Sequence, residues 1–456
     1  MNTYIIVGII LVALVALLAT NKKLVETLKN IYKIEELRQR ILFTLGLLLI
    51  YRLGSFVTLP GVDHAVLEQW TQNFANDGSS LMGLLNIFSG GAFSQASIFA
   101  LGVMPYITAS IIIQLLGIMV PYFRKMQREG ESGRRKMNQW TRFLTIAVLL
   151  LQAPAYLATQ VISSGAVVAN GDFLGIANGQ FIVPAVIILI AGTMFIMWLG
   201  EKITDRGIGN GISLIIMIGI VARLPQSFLQ ELMFQTTGGG SIIMLLVELV
   251  FLALVFMLAI AIVQAVRKIP VQYAKRIVGN KQYGGVRQYI PLKLNAANVM
   301  PIIFAQALMF IPGLIWGGQW LDITSFWYNF TLVVMVIAFT YFYTAIIVNP
   351  QMMADDMKRN GGFIPGVKPG KSTVTYIDDI MTRITLPGSV FLAIITILPA
   401  IAMSLGITPG FAYFFGGTSL LIMVGVVLDT LKQIESYLLM RHYDGLMKTG
   451  RIQGRY

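Results

Sequence analysis

Apolar residues run through this chain in blocks long enough to cross a bilayer, which takes ~20 residues of α-helix. Such blocks lie near 4–20, 40–57, 98–119, 141–161, 180–199, 209–230, 241–264, 296–316, 326–348, 385–405 and 412–431. The block near 209–230 has the least regular pattern, because Arg223 and Pro225 interrupt it. One stretch holds more than a span. From Asp77 to Arg124 no residue is charged, yet its first part, LMGLLNIFSGGAFSQAS, mixes Leu and Phe with Asn86, Ser89, Gly90, Gly91, Ser94 and Gln95. Non-helical backbone at membrane depth survives only where protein buries it or where it lines a cavity. The pattern therefore predicts a short broken half-helix followed by a full span, and with it a channel or transporter.

Polar segments between the blocks carry their own patterns. Leu24, Leu28, Ile31 and Ile34 recur at helical spacing among Lys and Glu, which predicts an amphipathic helix over 22–38 lying on the membrane surface. Residues 124–142 read as a loop with a dense basic run. Residues 266–291 alternate apolar and polar positions around Gly279-Asn280 and predict a projecting β-ribbon. Residues 349–379 form a third long loop. Loops of this length with aromatic and turn residues suit ordered docking surfaces.

Composition and charge fix the class and the orientation. Hydrophobic residues make up 56% of the chain and charged residues 12%, against roughly 25% charged in soluble domains. Of the 34 Lys and Arg, all but Arg52 and Arg223 fall in segments 21–40, 121–142, 200–208, 265–295, 349–384 and 432–456, which alternation of the spans places on one side. By the positive-inside rule that side is cytoplasmic. The net charge of +13 is thus concentrated on a face suited to anionic lipid headgroups, RNA or an acidic protein. Tyr4–Thr20 is followed, not preceded, by Lys22 and Lys23, which predicts an uncleaved span with the N-terminus outside and the C-terminus in the cytoplasm.

Catalytic patterns are missing. GKST at Gly370–Thr373 lacks the earlier P-loop glycine, since Pro365 stands there. GIGNG at Gly207–Gly211 lacks dinucleotide spacing. Cys is absent and His occurs twice, so no thiol or Cys/His metal chemistry is expected, and neither cofactor nor enzyme activity is predicted. Glu248 is the conspicuous intramembrane acid and reads as an interhelical or subunit contact. Thr108, Ser110, Gln114, Asn210, Ser213, Asn295 and Asn298 read as polar contacts between helices. A small-solute secondary transporter also uses broken helices and inverted repeats, but with more intramembrane charge.

The stretch NIFSGGAFSQASIFALGVMPYITASIIIQLL, followed by EGESGRRKMNQWTR, closely resembles the bacterial SecY family, the channel subunits of the protein translocon. GTMFIMWLGEKITDRGIGNGIS, PLKLNAANVMPIIFA, FYTAIIVNP and FFGGTSLLI resemble it in the same order, from about Glu35 to Tyr443. The resemblance implies an all-α, ten-helix clamshell of two inverted pseudo-symmetric five-helix halves, here 39–235 and 236–435. The segment 1–21 would be an extra transmembrane helix and 436–456 a cytoplasmic tail. It implies a plug at about 81–94, including Leu84, Asn86, Phe88, Gly90 and Gly91, with the two glycines as a flexible joint. A ring of Val103, Ile107, Ile216, Ile303 and Ile422 would seal the pore, and Gln114 and Asn295 would edge a lateral gate. The loops 266–291 and 349–379, with Lys275, Arg276, Arg287, Lys358, Arg359 and Lys368, would dock a SecA-type ATPase motor and the ribosome. Lys368 stands where the family commonly has Arg, and the two are not equivalent at bidentate contacts. SecE-like and SecG-like small membrane subunits, signal-bearing polypeptides and membrane lipids complete the implied partners. The implied function is passage of unfolded polypeptides across the inner membrane, with lateral release of transmembrane segments.

Overall fold

Backbone in lipid must satisfy its own hydrogen bonds, so each long apolar run closes into helix. The structure is a computed structural model. It describes residues 34–63, 65–67, 86, 89–167, 178–237, 241–273, 276–278, 281–283, 287–316 and 322–449. The expected span at 4–20, most of the segment 22–38, His64, and the plug positions Leu84 and Phe88 lie outside the described residues, as does Lys275. The helices are α1 (Glu35–Gly54), α2 (Met104–Met119), α3 (Pro121–Arg128), α4 (Glu131–Tyr156), α5 (Asn178–Arg206), α6 (Gly211–Thr237) and α7 (Ile242–Gln264). They continue with α8 (Met300–Trp316), α9 (Phe326–Ile347), α10 (Pro350–Arg359), α11 (Lys371–Ser404), the short α12 (Pro409–Ala412) and α13 (Gly417–Thr449). Among the described residues, seven helical stretches are long and apolar enough to cross a membrane.

Three expectations change. The span expected to begin at 98 begins at Met104, because Ser89–Val103 runs through successive turns with positive φ at Gly90, Gly91, Ala96 and Gly102. Of the described residues of the expected half-helix, Asn86 is helical and 89–94 are turn. The basic loop 124–142 is helical instead: Pro121 and extended Val120 bend α3 by 101° from α2, and α4 starts at Glu131. Glu131 and Arg135 pair one turn apart at 2.7 Å, a spacing that supports an exposed helix. The loop 349–379 likewise contains α10 and the start of α11. Asn349 caps α10 by accepting from the N–H groups of Gln351 and Met352, and Pro350 takes the first helical position.

The chain divides into two compact units. The first comprises 1–77, 82–226 and 426–456. Its core gathers Leu59, Phe93, Ala96, Tyr156, Leu157, Phe181 and Leu189 around the irregular segment that precedes α2. That segment is held from several sides. Leu59 N–H donates to Ala96 C=O (2.8 Å) and Ile98 N–H to Val57 C=O (2.9 Å). Gly192 of α5 brings its Cα against the Ile98 carbonyl and the Phe99 ring. Pro154 in α4 lacks a backbone N–H, and the helix loosens into a π-turn at Leu157–Ile162 before ending.

The second unit comprises 78–81 and 227–425. Within it α9 packs against α8 and α11. It also holds strands β1 (Val266–Tyr273), β4 (Arg287–Lys293) and β5 (Gly362–Phe363) in the order β4-β1-β5, all antiparallel, with Ile269 opposite Ile290. The hairpin β2 (Arg276–Val278) and β3 (Lys281–Tyr283) pairs separately. The expected ribbon is present.

Candidate functional site

The polar segment that follows Asp77 ends in a tightly bonded loop. Asn86 closes it: Gly91 N–H donates to the Asn86 backbone carbonyl (2.9 Å), and Ser94 N–H to the Asn86 side-chain Oδ1 (3.2 Å). Ser89 Oγ accepts from Phe93 N–H (3.0 Å), and Tyr156 OH donates to Phe93 C=O (2.7 Å) while the two rings meet at 4.8 Å. Gly90 and Gly91 have φ of 65° and 96°, a region that costs other residues strain. They also have no room for a side chain. A Cβ at Gly90 would come within 2.8 Å of Gly219 Cα on α6, and one at Gly91 within 2.8 Å of Arg223 Nη2. The sequence read these glycines as a joint; packing gives them a second constraint.

Two basic residues that sequence reasoning set aside as exceptions reach this loop. Arg52 Nη1 donates to Gly90 C=O (2.9 Å), and Arg223 Nη2 donates to Asn86 Oδ1 (3.0 Å) and Ser94 Oγ (3.1 Å). Their signal was available, since they alone of the 34 basic residues fall outside the six basic segments.

The expected ring residues divide between the units. Val103 caps the start of α2, Ile107 sits one turn further on, and Ile216 lies on α6; Val103 and Ile216 are buried and Ile107 half-buried. In the second unit Ile303 lies half-buried on α8 and Ile422 buried on α13. All five are aliphatic and helix-borne or helix-capping, so none brings a polar group to its position. The expected gate residues also divide. Gln114 on α2 donates to Ser110 Oγ (3.4 Å) and lines a cavity of about 550 Å³ with Gln127, Arg134, Asn138 and Thr141. Asn295 is buried, and its Oδ1 has no partner among the described residues.

Glu248 behaves as an interhelical contact. Gln235 Nε2 on α6 donates to both Glu231 Oε1 (2.9 Å) and Glu248 Oε1 (3.0 Å) of α7. Thr408 N–H reaches the other Glu231 oxygen (2.8 Å), as does the Thr408 hydroxyl. A carboxylate bound into such a network holds helices together. Among the described residues no cluster of three His, Cys, Asp or Glu stands ready for a metal.

An irregular buried loop bonded to two arginines and an antiparallel ribbon thus share one multi-pass chain. The sequence profile of the SecY family matches residues 97–431. The chain belongs to the SecY family. Protein translocase subunit SecY of Corynebacterium glutamicum is 42% identical over 445 residues, covering 91% of this chain and 98% of the relative. Protein translocase subunit SecY of Streptomyces scabiei is 43% identical over 443 residues, with the same coverage. Among solved structures, one described as the structure of a protein conducting channel superposes with TM-score 0.59 at 18% identity, covering 91% of this chain and 94% of that one. Sec61 in the canine ribosome-channel complex superposes at 0.55 with 16% identity and the same coverage. The SecY fold is thus shown, and by family this is a subunit of a multi-pass protein-translocation channel.

In this SecY chain the segments 266–291 and 349–379, which the sequence read as separate loops, pack into one body. Ile269, Val271 and Leu292 of the ribbon pack with Met357 of α10, Ile364, and Ile377 and Met381 of α11. β5, within 349–379, adds its edge to β1 of the ribbon. Lys358 and Arg359 end α10 and Lys368 precedes α11, all three exposed. Arg276 and Arg287 lie in β2 and β4. The ribbon's alternation was legible, whereas its partner helix lay 60 or more residues away in sequence.

Proposed function

We propose that this SecY-family chain is a passive, gated pore for unfolded, signal-bearing polypeptides, closed at rest by the plug segment and an aliphatic ring. The observation that carries the reading is the segment Ser89–Ser94 with Asn86, irregular, polar and glycine-bearing, set against α6 inside an apolar unit. Such backbone at membrane depth has a use in a protein that lines or stops a pore. Val103, Ile107, Ile216, Ile303 and Ile422 supply a dry constriction that offers ions no replacement for their water. It yields around an extended peptide of any sequence. Gln114 and Asn295 edge the route by which a hydrophobic segment leaves for lipid, since such a segment gains by moving from a polar edge to acyl chains. The carboxylates Glu231 and Glu248 are bonded to Gln235 and Thr408, which supports a structural role over the ion-coupled chemistry of a small-solute transporter.

The chain itself hydrolyses nothing in this reading; a SecA-type motor or the ribosome on the cytoplasmic platform and the membrane potential drive transport. SecE-like and SecG-like subunits accompany it in the inner membrane, with the N-terminus outside and the C-terminus cytoplasmic. The platform tests the docking part of the proposal. Lys358, Arg359 and Lys368 are exposed over a packed core they do not enter, so their charges set partner affinity rather than folding. Reversal of all three to Glu is expected to lower export of a reporter precursor roughly tenfold, with the protein still inserted at parental levels. Degradation of the variant, with normal export by the surviving fraction, would make these residues structural.

A further inference from the structure

We propose that Arg52 and Arg223 are positioning residues that latch the plug segment in its closed place. The inference rests on the reading of that segment as a plug and adds the device that holds it. Arg223 lies 12 residues into α6, ~18 Å along the helix, at a depth where a guanidinium persists only with polar partners. The plug segment provides those partners. One Arg223 nitrogen ties Asn86 Oδ1 (3.0 Å) to Ser94 Oγ (3.1 Å), the two ends of the loop, and Asn86 Oδ1 is already bonded to Ser94 N–H. Gly91, between them, leaves the guanidinium its space. From α1, Arg52 grips the loop's crest through the Gly90 carbonyl (2.9 Å). Leaving the closed place breaks all three arginine bonds together, along with the packing of Phe93 on Tyr156 and the Tyr156 bond to its carbonyl, so the arginines add directional bonds to an apolar contact. Those bonds are exchangeable. Water in a filling pore, or the backbone carbonyls of an arriving polypeptide, presents the same kind of acceptor and competes the segment away.

The chain has no cysteine of its own, so one introduced thiol reports the latch. Ala92 is 1% exposed. In the full chain purified with its subunits, an Ala92→Cys variant should be protected from a membrane-impermeant maleimide at rest and labelled once a precursor is trapped in the channel. Adding Arg223→Leu, or Asn86→Ala with Ser94→Ala, should raise resting labelling about tenfold, equivalent to ~1.4 kcal/mol. Arg52→Leu should act in the same direction, and Arg223→Lys should restore part of the protection. Combining Arg223→Leu with the Asn86→Ala and Ser94→Ala changes should add little to either, because they remove the same bonds. The Asn86 and Ser94 changes leave both arginines in place and carry the test if Arg223→Leu reduces insertion. Labelling that follows precursor but ignores the arginine and acceptor changes overturns the latch and leaves the plug. Protection that persists with precursor trapped overturns the plug reading itself. Full additivity would show the arginines acting elsewhere.

Discussion

Asn at both Ile107 and Ile303 should make the resting channel leak ions at least about tenfold above the parent. A hydrophobic constriction stops ions by dewetting, and its barrier depends on walls without hydrogen-bonding groups. Each Asn adds a carbonyl and an amide that hold water in the gap, and each lowers the cost of an ion passing with part of its shell. The positions suit the test, because both side chains are half-buried on helices α2 and α8 and their exchange leaves the fully buried cores alone. The same change should favour the open state, so precursors with weak signals should pass more readily. Leu at both positions keeps the wall apolar and should remain tight. Conductance across planar bilayers holding the purified complex measures all three, and a tight Asn pair would show that these residues do not form the seal.

Gly192→Leu should cost the folded protein about 3 kcal/mol or more, the upper range of overpacking effects. The Cα of Gly192 lies against the Ile98 backbone, which itself bridges to Val57, so neither side can yield without moving the segment that leads into α2. Phe99, the next neighbour, is stacked between Tyr51 and Phe195 and has nowhere to go. Gly46 makes the contrast. It is an exposed glycine of α1 with nothing within 4 Å of a Cβ, so Gly46→Leu should be neutral or mildly stabilising. Thermal unfolding of the two variants in detergent separates the cases; equal shifts would mean the close approach at Gly192 carries no weight.

Legibility followed the physics of each element. α7 and α9 were plain because a long apolar run in lipid has few alternatives to helix, even with a single Glu248 or Asn329 in it. α6 was the least regular span by sequence because Arg223 and Pro225 interrupt it. The arginine is tolerated through Asn86 and Ser94, more than a hundred residues earlier, and pairing at that distance leaves no local trace. The basic run after Glu129 lacks an apolar pattern to mark it as helix; exposed helices carry charge as readily as loops, and Glu131 with Arg135 one turn on held the signal. Asn349-Pro350 likewise spelled a helix start inside a supposed loop. Of the proposed site residues, the aliphatic ring could come only from resemblance, since Ile on a helix in a membrane reads first as core. Arg52 and Arg223 were visible as exceptions to the charge pattern, and their bonds to Gly90, Asn86 and Ser94 needed the fold.

The central claim is that this chain carries signal-bearing polypeptides across the membrane. Depleting it in its host and following newly made precursors by pulse-labelling tests that claim most directly. Uncleaved precursors should accumulate in the cytoplasm as the protein disappears, and cleavage should return when it is restored. Export at the normal rate after depletion would contradict the account.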